Sequence, residues 1–157
     1  MVGVDMLQDV AGGSNTSYQI PVKPTEAIAD GTTVVRNVGL RPLTILGIEP
    51  IFQGQPPVNV VVGIQLAHLN EDDQLIGIAR TYPPPGVSLI EPTGAVINPV
   101  SLSGDRFQII MGLNVKSGTV VVTGLRVTFR VDGVTYTTTF THQVRLCAGR
   151  PPSATTC

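Results

Sequence analysis

The dipeptide Asp132-Gly133 constrains the fold of this chain more than any other feature. Asp-Gly between two runs of alternating apolar residues is a strong β-hairpin signal, because both central positions of a type I′ turn need a positive φ. A two-residue loop here aligns 119–131 with 134–147. One face of the aligned strands then carries the mainly apolar pairs Val131 with Val134, Phe129 with Tyr136, Val127 with Thr138 and Leu125 with Phe140.

The opposite face of this hairpin is polar, and it pairs arginines and a threonine with further threonines. A flat β-face with few charges is suited to association with another copy or another protein, because burying it desolvates few charged groups. A solvated strand rich in threonine, a residue with high β propensity, explains the same pattern. The interaction hypothesis assigns this face to Arg126, Arg130, Thr135, Thr137 and Thr139.

Strand patterns continue through most of the chain, and no segment shows a helical period. We expect a turn at Asp30-Gly31 and a hairpin joining 58–69 to 74–80. Seven to nine strands separated by turns predict an all-β fold, an antiparallel β-sandwich. The expected organisation is a flexible lead-in over 1–16, the sandwich over 17–147 and a tail over 148–157.

The balance of charge argues against several classes of partner. Charged residues make up 13% of the chain and the formal net charge is −1, which predicts no nucleic-acid partner. No stretch reaches the 18 or so apolar residues that span a membrane, so we expect no membrane insertion within this chain. The partner class that remains is a protein, either another chain or a second copy of this one.

Two segments resemble a known class of domain. The stretch 33–39, Thr-Val-Val-Arg-Asn-Val-Gly, with a proline three residues later and then an apolar strand, resembles the early strands of bacterial immunoglobulin-like modules. The hairpin strand 125–130, in a hairpin that ends at Cys147, is similar to extracytoplasmic domains of actinobacterial type with no assigned activity. The resemblance covers most of residues 30–147. It implies an immunoglobulin-like β-sandwich outside the cytoplasm, and it transfers no catalytic residue.

The two cysteines bear on the compartment. Cys147 closes the last strand and Cys157 ends the chain, so a disulfide would close a short loop around Pro151 and Pro152. Two free thiols are the alternative. A disulfide would indicate an oxidising compartment. We expect an extracellular or cell-surface protein, or the ectodomain of an anchored one, although residues 1–19 lack the pattern of a signal peptide.

The sequence contains no catalytic motif that we can recognise. His68 and His142 lie in strand patterns and are interpreted as hydrogen-bonded strand residues. The only acidic cluster is a weak candidate metal site and otherwise a solvated loop, and Tyr82 beside three prolines is the one candidate loop platform for a sugar. We predict no cofactor. The cluster comprises Glu71, Asp72 and Asp73.

The function predicted from these observations is that of a structural or protein-interaction module that is not an enzyme. One alternative is a β-sandwich that binds a small ligand, a carbohydrate or calcium. A further alternative is an assembly subunit of a virion or an appendage.

Overall fold

The predicted hairpin forms in the expected register. The computed structural model describes residues 6–9, 17–56, 58–68, 77–149 and 157. Strands β9 (Thr119–Val131) and β10 (Val134–Ala148) pair antiparallel, and every pair expected from the Asp132-Gly133 turn is present. Both turn residues have positive φ, 48° and 82°, as a type I′ turn requires.

The described residues form ten strands in two sheets. Sheet I has the order β2-β10-β9-β4-β7, and sheet II has the order β1-β3-β8-β5, with β6 also paired to β3. The strand β2 runs parallel to β10, and the other pairings are antiparallel. The remaining elements are β1 (Leu7–Asp9), β2 (Ser17–Val22), β3 (Ile28–Asn37), β4 (Leu43–Phe52), β5 (Val58–His68), β6 (Ile78–Ala79), β7 (Val96–Ile97), the helical turn α1 (Val100–Ser103) and β8 (Asp105–Val115).

The two sheets pack face to face, which confirms the all-β sandwich. The strand order β1-β3-β8-β5 opposite β10-β9-β4 corresponds to the ABED and GFC sheets of immunoglobulin domains. Alternate residues of each strand point between the sheets, where they remove apolar area from water. The largest fully buried side chains include Phe107, Phe129, Ile45, Ile64 and Leu125.

Two local predictions are wrong. Asp30-Gly31 is not a turn: β3 continues through it, and a register shift against β8 absorbs the extra residues as a bulge. The expected hairpin between 58–69 and 74–80 does not form, since β5 pairs with β8 while β6 pairs with β3. Within the segment predicted as a lead-in, Leu7–Asp9 forms β1 and pairs with β3.

The outer faces of the two sheets differ. Residues 80–90, which we call the strap, cross the outer face of sheet II after β6. Arg80 bonds Glu26 at 2.9 Å at one end, and Ile90 forms an antiparallel bridge with Ile64 at the other. The outer face of sheet I presents exposed side chains instead, among them Arg126, Arg130 and Thr139.

Candidate functional site

The predicted interaction residues lie together on the outer face of sheet I. Cross-strand pairing sets Thr135 beside Arg130 and Thr139 beside Arg126. These four side chains are exposed. Thr137 is half-buried between them, and its hydroxyl lies 3.5 Å from that of Thr128. We call the outward side chains of β4, β9 and β10 the open face.

The charges of the open face are mostly positive. Arg145 is exposed and points outward, because its neighbours Val144 and Leu146 are buried. Among the described residues of this face, three arginines therefore accompany one carboxylate, that of Glu49. Glu49 lies 3.8 Å from Arg126, and both side chains are at least half exposed, so this contact contributes little stability. The face retains a positive charge although the whole chain has a formal net charge of −1.

Tyr82, the predicted loop platform, is half-buried in the strap and packs on sheet II. A Cβ atom built on Gly112 would lie 2.5 Å from Cγ of the Tyr82 ring, and one built on Gly63 would lie 3.2 Å from Leu89. Because these two glycines have no side chains, the outer face of the sheet has a depression there, and the strap packs into it.

The Tyr82 hydroxyl is affected by this environment. Burial raises the pKa of Tyr82 above its usual value of 10.0, and the nearby negative charge of Glu91 raises it further. Both effects disfavour the phenolate, so the ring remains neutral in the folded protein up to a higher pH.

A second group of polar residues lies between the sheets. Asp30 of β3 and His142 of β10 are both buried, and His142 Nε2 contacts Asp30 Oδ2. Each residue lies at a register shift of its own strand, between Asp30 and Thr33 in β3 and between Thr141 and Val144 in β10. The two bulges therefore place a carboxylate and an imidazole together in the core, joining sheet II to sheet I.

The bulge in β3 leaves few polar groups of its backbone without a partner. Gly31 donates its N–H to Gly77 at 2.9 Å, and its carbonyl accepts a 2.5 Å bond from the buried Gln108 amide. The N–H of Thr32 bonds Asp30 Oδ1 at 3.1 Å. These bonds satisfy three backbone groups of the bulge, which would be costly to bury without partners.

Thr32 completes an arrangement of hydroxyl, imidazole and carboxylate. Its Oγ1 donates to Asp30 Oδ1 at 2.7 Å and lies 3.4 Å from His142 Nδ1. Because the Thr32 hydroxyl donates its proton to the Asp30 carboxylate, it does not donate it to His142 Nδ1. In a nucleophile–base pair the hydroxyl would instead give its proton to the imidazole.

The cysteine pair lies at the end of β10. Cys147 and Cys157 are bonded, with their Cα atoms 5.8 Å apart. The bond ties the final residue to a strand of sheet I.

For the remaining predicted site residues, the structure does not describe the side chains. Glu71, Asp72 and Asp73 lie outside the described residues, and so does the side chain of His68. Within the described part of the chain, no group of three or more His, Cys, Asp or Glu side chains could hold a metal ion. No helix in that part is long and apolar enough to cross a membrane.

Comparison with known proteins assigns this chain to no family. No protein-family model matches this chain, and no curated protein matches it.

Sequence reasoning missed Asp30 because Asp-Gly is also a common turn dipeptide. One signal was present: Asp30 keeps the inward parity of Ile28, and the apolar run 27–29 leads directly into it. The depression at Gly63 and Gly112 had no comparable signal, because a glycine in a strand does not reveal which side chain covers it.

Proposed function

We propose that this chain is a structural or protein-interaction module that is not an enzyme and that acts outside the cytoplasm. Its binding surface is the open face of sheet I. The supporting observation is the contrast between the two outer faces, since the strap covers one and the other presents Arg126, Arg130 and the threonines to solvent.

The charge of the open face favours one kind of partner. A two-fold dimer joins the same patch of both copies, so it would set the three arginines of one chain against those of the other. Like charges in an interface are costly, whereas carboxylates opposite arginines form charge-assisted hydrogen bonds. The partner is therefore a different protein surface that carries carboxylates between uncharged groups.

The first experiment identifies that partner. A photoreactive amino acid replaces Thr137 in the natural organism, and the matched control replaces Ser88, which is exposed in the strap. The protein recovered at Thr137 is purified, and its affinity is measured for the native chain and for Arg126→Glu/Arg130→Glu. We expect at least about a tenfold loss of affinity for the double variant.

Three results would contradict this proposal. Equal crosslinking at Ser88 would show that the contact is not specific for the open face. An unchanged affinity after charge reversal would show that the arginines do not bind the partner. A specific catalytic turnover that disappears in Thr32→Ala or His142→Ala would contradict the non-enzymatic part.

The compartment is tested separately. We propose an extracellular or cell-surface location, supported by the bond between Cys147 and Cys157. The chain isolated from its natural source under thiol-blocking conditions is expected to carry no blocked cysteine before reduction and two afterwards. Blocking of both thiols before reduction would place the chain in a reducing compartment.

A further inference from the structure

The hydrophobic core is open along one side of the sandwich, between β4 of sheet I and β5 of sheet II. Val60 and Val62 face inward, because they pair with the core residues Leu113 and Met111 of β8. Both valines are only half-buried, whereas Ile64 on the same face of β5 is fully buried. The apolar interior is therefore incompletely covered beside the first half of β5.

A groove of about 500 Å³ occupies this opening. Its lining is mixed: Ile48 and Pro50 from β4, Val60 and Val62 from β5, and Pro92 supply the apolar part, and Glu49, Glu91 and Thr93 supply polar groups. We call it the edge groove.

The strand beside the groove has an edge that no other described strand covers. Among the described residues, β5 is the last strand of sheet II. The Ile64 N–H donates to the Ile90 carbonyl at 3.1 Å and the Ile90 N–H donates to the Ile64 carbonyl at 2.9 Å, both on the edge of β5 that faces away from β8. On an edge strand, the N–H and C=O groups of every second residue point away from the neighbouring strand. Those of Val60 and Val62 therefore point away from β8, as those of Ile64 do. Within the described ranges, no backbone bond reaches these outward groups beyond the Ile90 bridge.

Long apolar edge strands of this kind pair readily with an added strand. An extended peptide that adds to β5 would satisfy the outward groups of Val60 and Val62, and its alternate side chains would enter the groove. Such a strand would also cover the exposed part of the core.

The rim of the groove selects the charge of the occupant. Glu49 and Glu91 line the groove and both residues are exposed, and Glu49 also lies 3.8 Å from Arg126. A second copy that paired its β5 about a two-fold axis would bring two such acidic rims together, which is unfavourable. A strand with basic side chains instead places positive charge beside both carboxylates.

We propose that the edge groove binds an extended basic segment of another protein, which adds as a strand to β5. The edge groove borders the open face and shares Glu49 with it, but this inference does not depend on a partner binding at the open face.

The probe is a blocked synthetic peptide of alternating valine and lysine, titrated into the isotope-labelled full chain and followed by NMR. We expect shifts at the amides of Val60 and Val62, and slower hydrogen exchange at both. The same peptide with glutamate in place of lysine is expected to bind at least about tenfold more weakly.

Two modified peptides test strand addition itself. One is N-methylated at every second amide, and the other at the remaining amides. Because only one edge of the added strand faces β5, one of them is expected to lose binding and the other to retain it. Equal binding by both would overturn strand addition.

Variants of the chain complete the test. Val62→Pro removes an outward N–H without removing a bond to β8, and it should weaken binding about tenfold. Glu49→Gln/Glu91→Gln should weaken it similarly and is a second test if Val62→Pro fails to fold. Asp132→Asn, which removes an exposed carboxylate at the β9–β10 turn, is the matched control and should leave the affinity unchanged.

Failure of this inference is distinguishable from failure of the proposed function. If the basic peptide does not bind, or if its shifts lie on the open face, the edge groove is not a strand-binding site. The crosslinking result at Thr137 is unaffected by either outcome.

Discussion

The outer faces of the two sheets differ in what covers them: a segment of the chain packs on one, and the other is exposed to solvent. Sheet II has glycines at 63 and 112, and the strap packs into the depression that they leave. Sheet I has threonines and arginines on its outer face, which remain solvated. A face covered by the chain itself is used for stability, whereas a solvated face can bind a partner without first displacing a covering segment.

The largest expected effect comes from uncoupling the two sheets. His142→Ala leaves Oδ2 of the buried Asp30 without the imidazole, while Oδ1 keeps its bonds to Thr32, so we expect the free energy of unfolding to fall by about 3–5 kcal/mol. The matched exposed pair is Arg126 with Glu49, and Arg126→Ala should cost at most about 1 kcal/mol.

Denaturant unfolding monitored by circular dichroism measures both variants. Similar losses for His142→Ala and Arg126→Ala would mean that the buried pair does not hold the sheets together.

The next effect tests the covered face. Gly112→Ala places a Cβ about 2.5 Å from the Tyr82 ring, so the strap must move. We expect a loss of about 1–3 kcal/mol, as for other overpacked sites. Gly47→Ala in β4 is the control, because no atom lies within 4 Å of the added Cβ and its φ is not positive.

The double variant Gly112→Ala/Tyr82→Ala separates the steric effect from other causes. If the clash is with the ring, the cost of Gly112→Ala should be much smaller when Tyr82 is already alanine. An unchanged cost would show that the strap does not pack on Gly112.

The sequence predicted those parts of the fold that depend on neighbouring residues, and it failed where distant segments pair. The β9–β10 register followed from a two-residue turn and alternation, both of which are properties of neighbouring residues. The partners of β5 and β6 were predicted wrongly because strand pairing between distant segments depends on the whole core.

The same difference between local and distant contacts applies to the candidate sites. The five residues predicted for the open face share one face because they alternate along one hairpin, whereas Glu49 and Arg145 were not predicted there. The contact between Asp30 and His142 spans 112 positions in sequence, so no spacing rule could join them. The edge groove also required knowledge of which strand ends each sheet.

A smaller effect is expected from pH. Since burial and Glu91 raise the pKa of Tyr82 in the folded state, the folded chain holds this proton more tightly than the unfolded chain does. The resulting stabilisation is complete below about pH 10 and is lost as the pH rises through the pKa of the folded state.

Ultraviolet titration of the native chain and of Tyr82→Phe identifies this group. Glu91→Gln should lower the pKa of Tyr82 only in part, because burial is the larger cause. Titration of Tyr82 at or below its ordinary pKa would contradict the packing of the strap.

The smallest effect is expected on the open face. Thr137→Val keeps the shape and the β propensity of the side chain, and it removes one long hydroxyl contact with Thr128. We expect a change in unfolding free energy within about 0.5 kcal/mol. A much larger loss in thermal or denaturant unfolding would mean that this face contributes to the fold.

The central claim is that the open face, and not the covered one, contacts a partner. Photoreactive amino acids placed one at a time along β10 in the natural organism test it directly, at Thr135, Thr137 and Thr139 and at the alternate positions Tyr136 and Thr138. We expect crosslinks at the three outward positions and none at the two inward ones, with period two along the strand. Crosslinks that ignore this alternation, or that form equally at Ser88 in the strap, would contradict it.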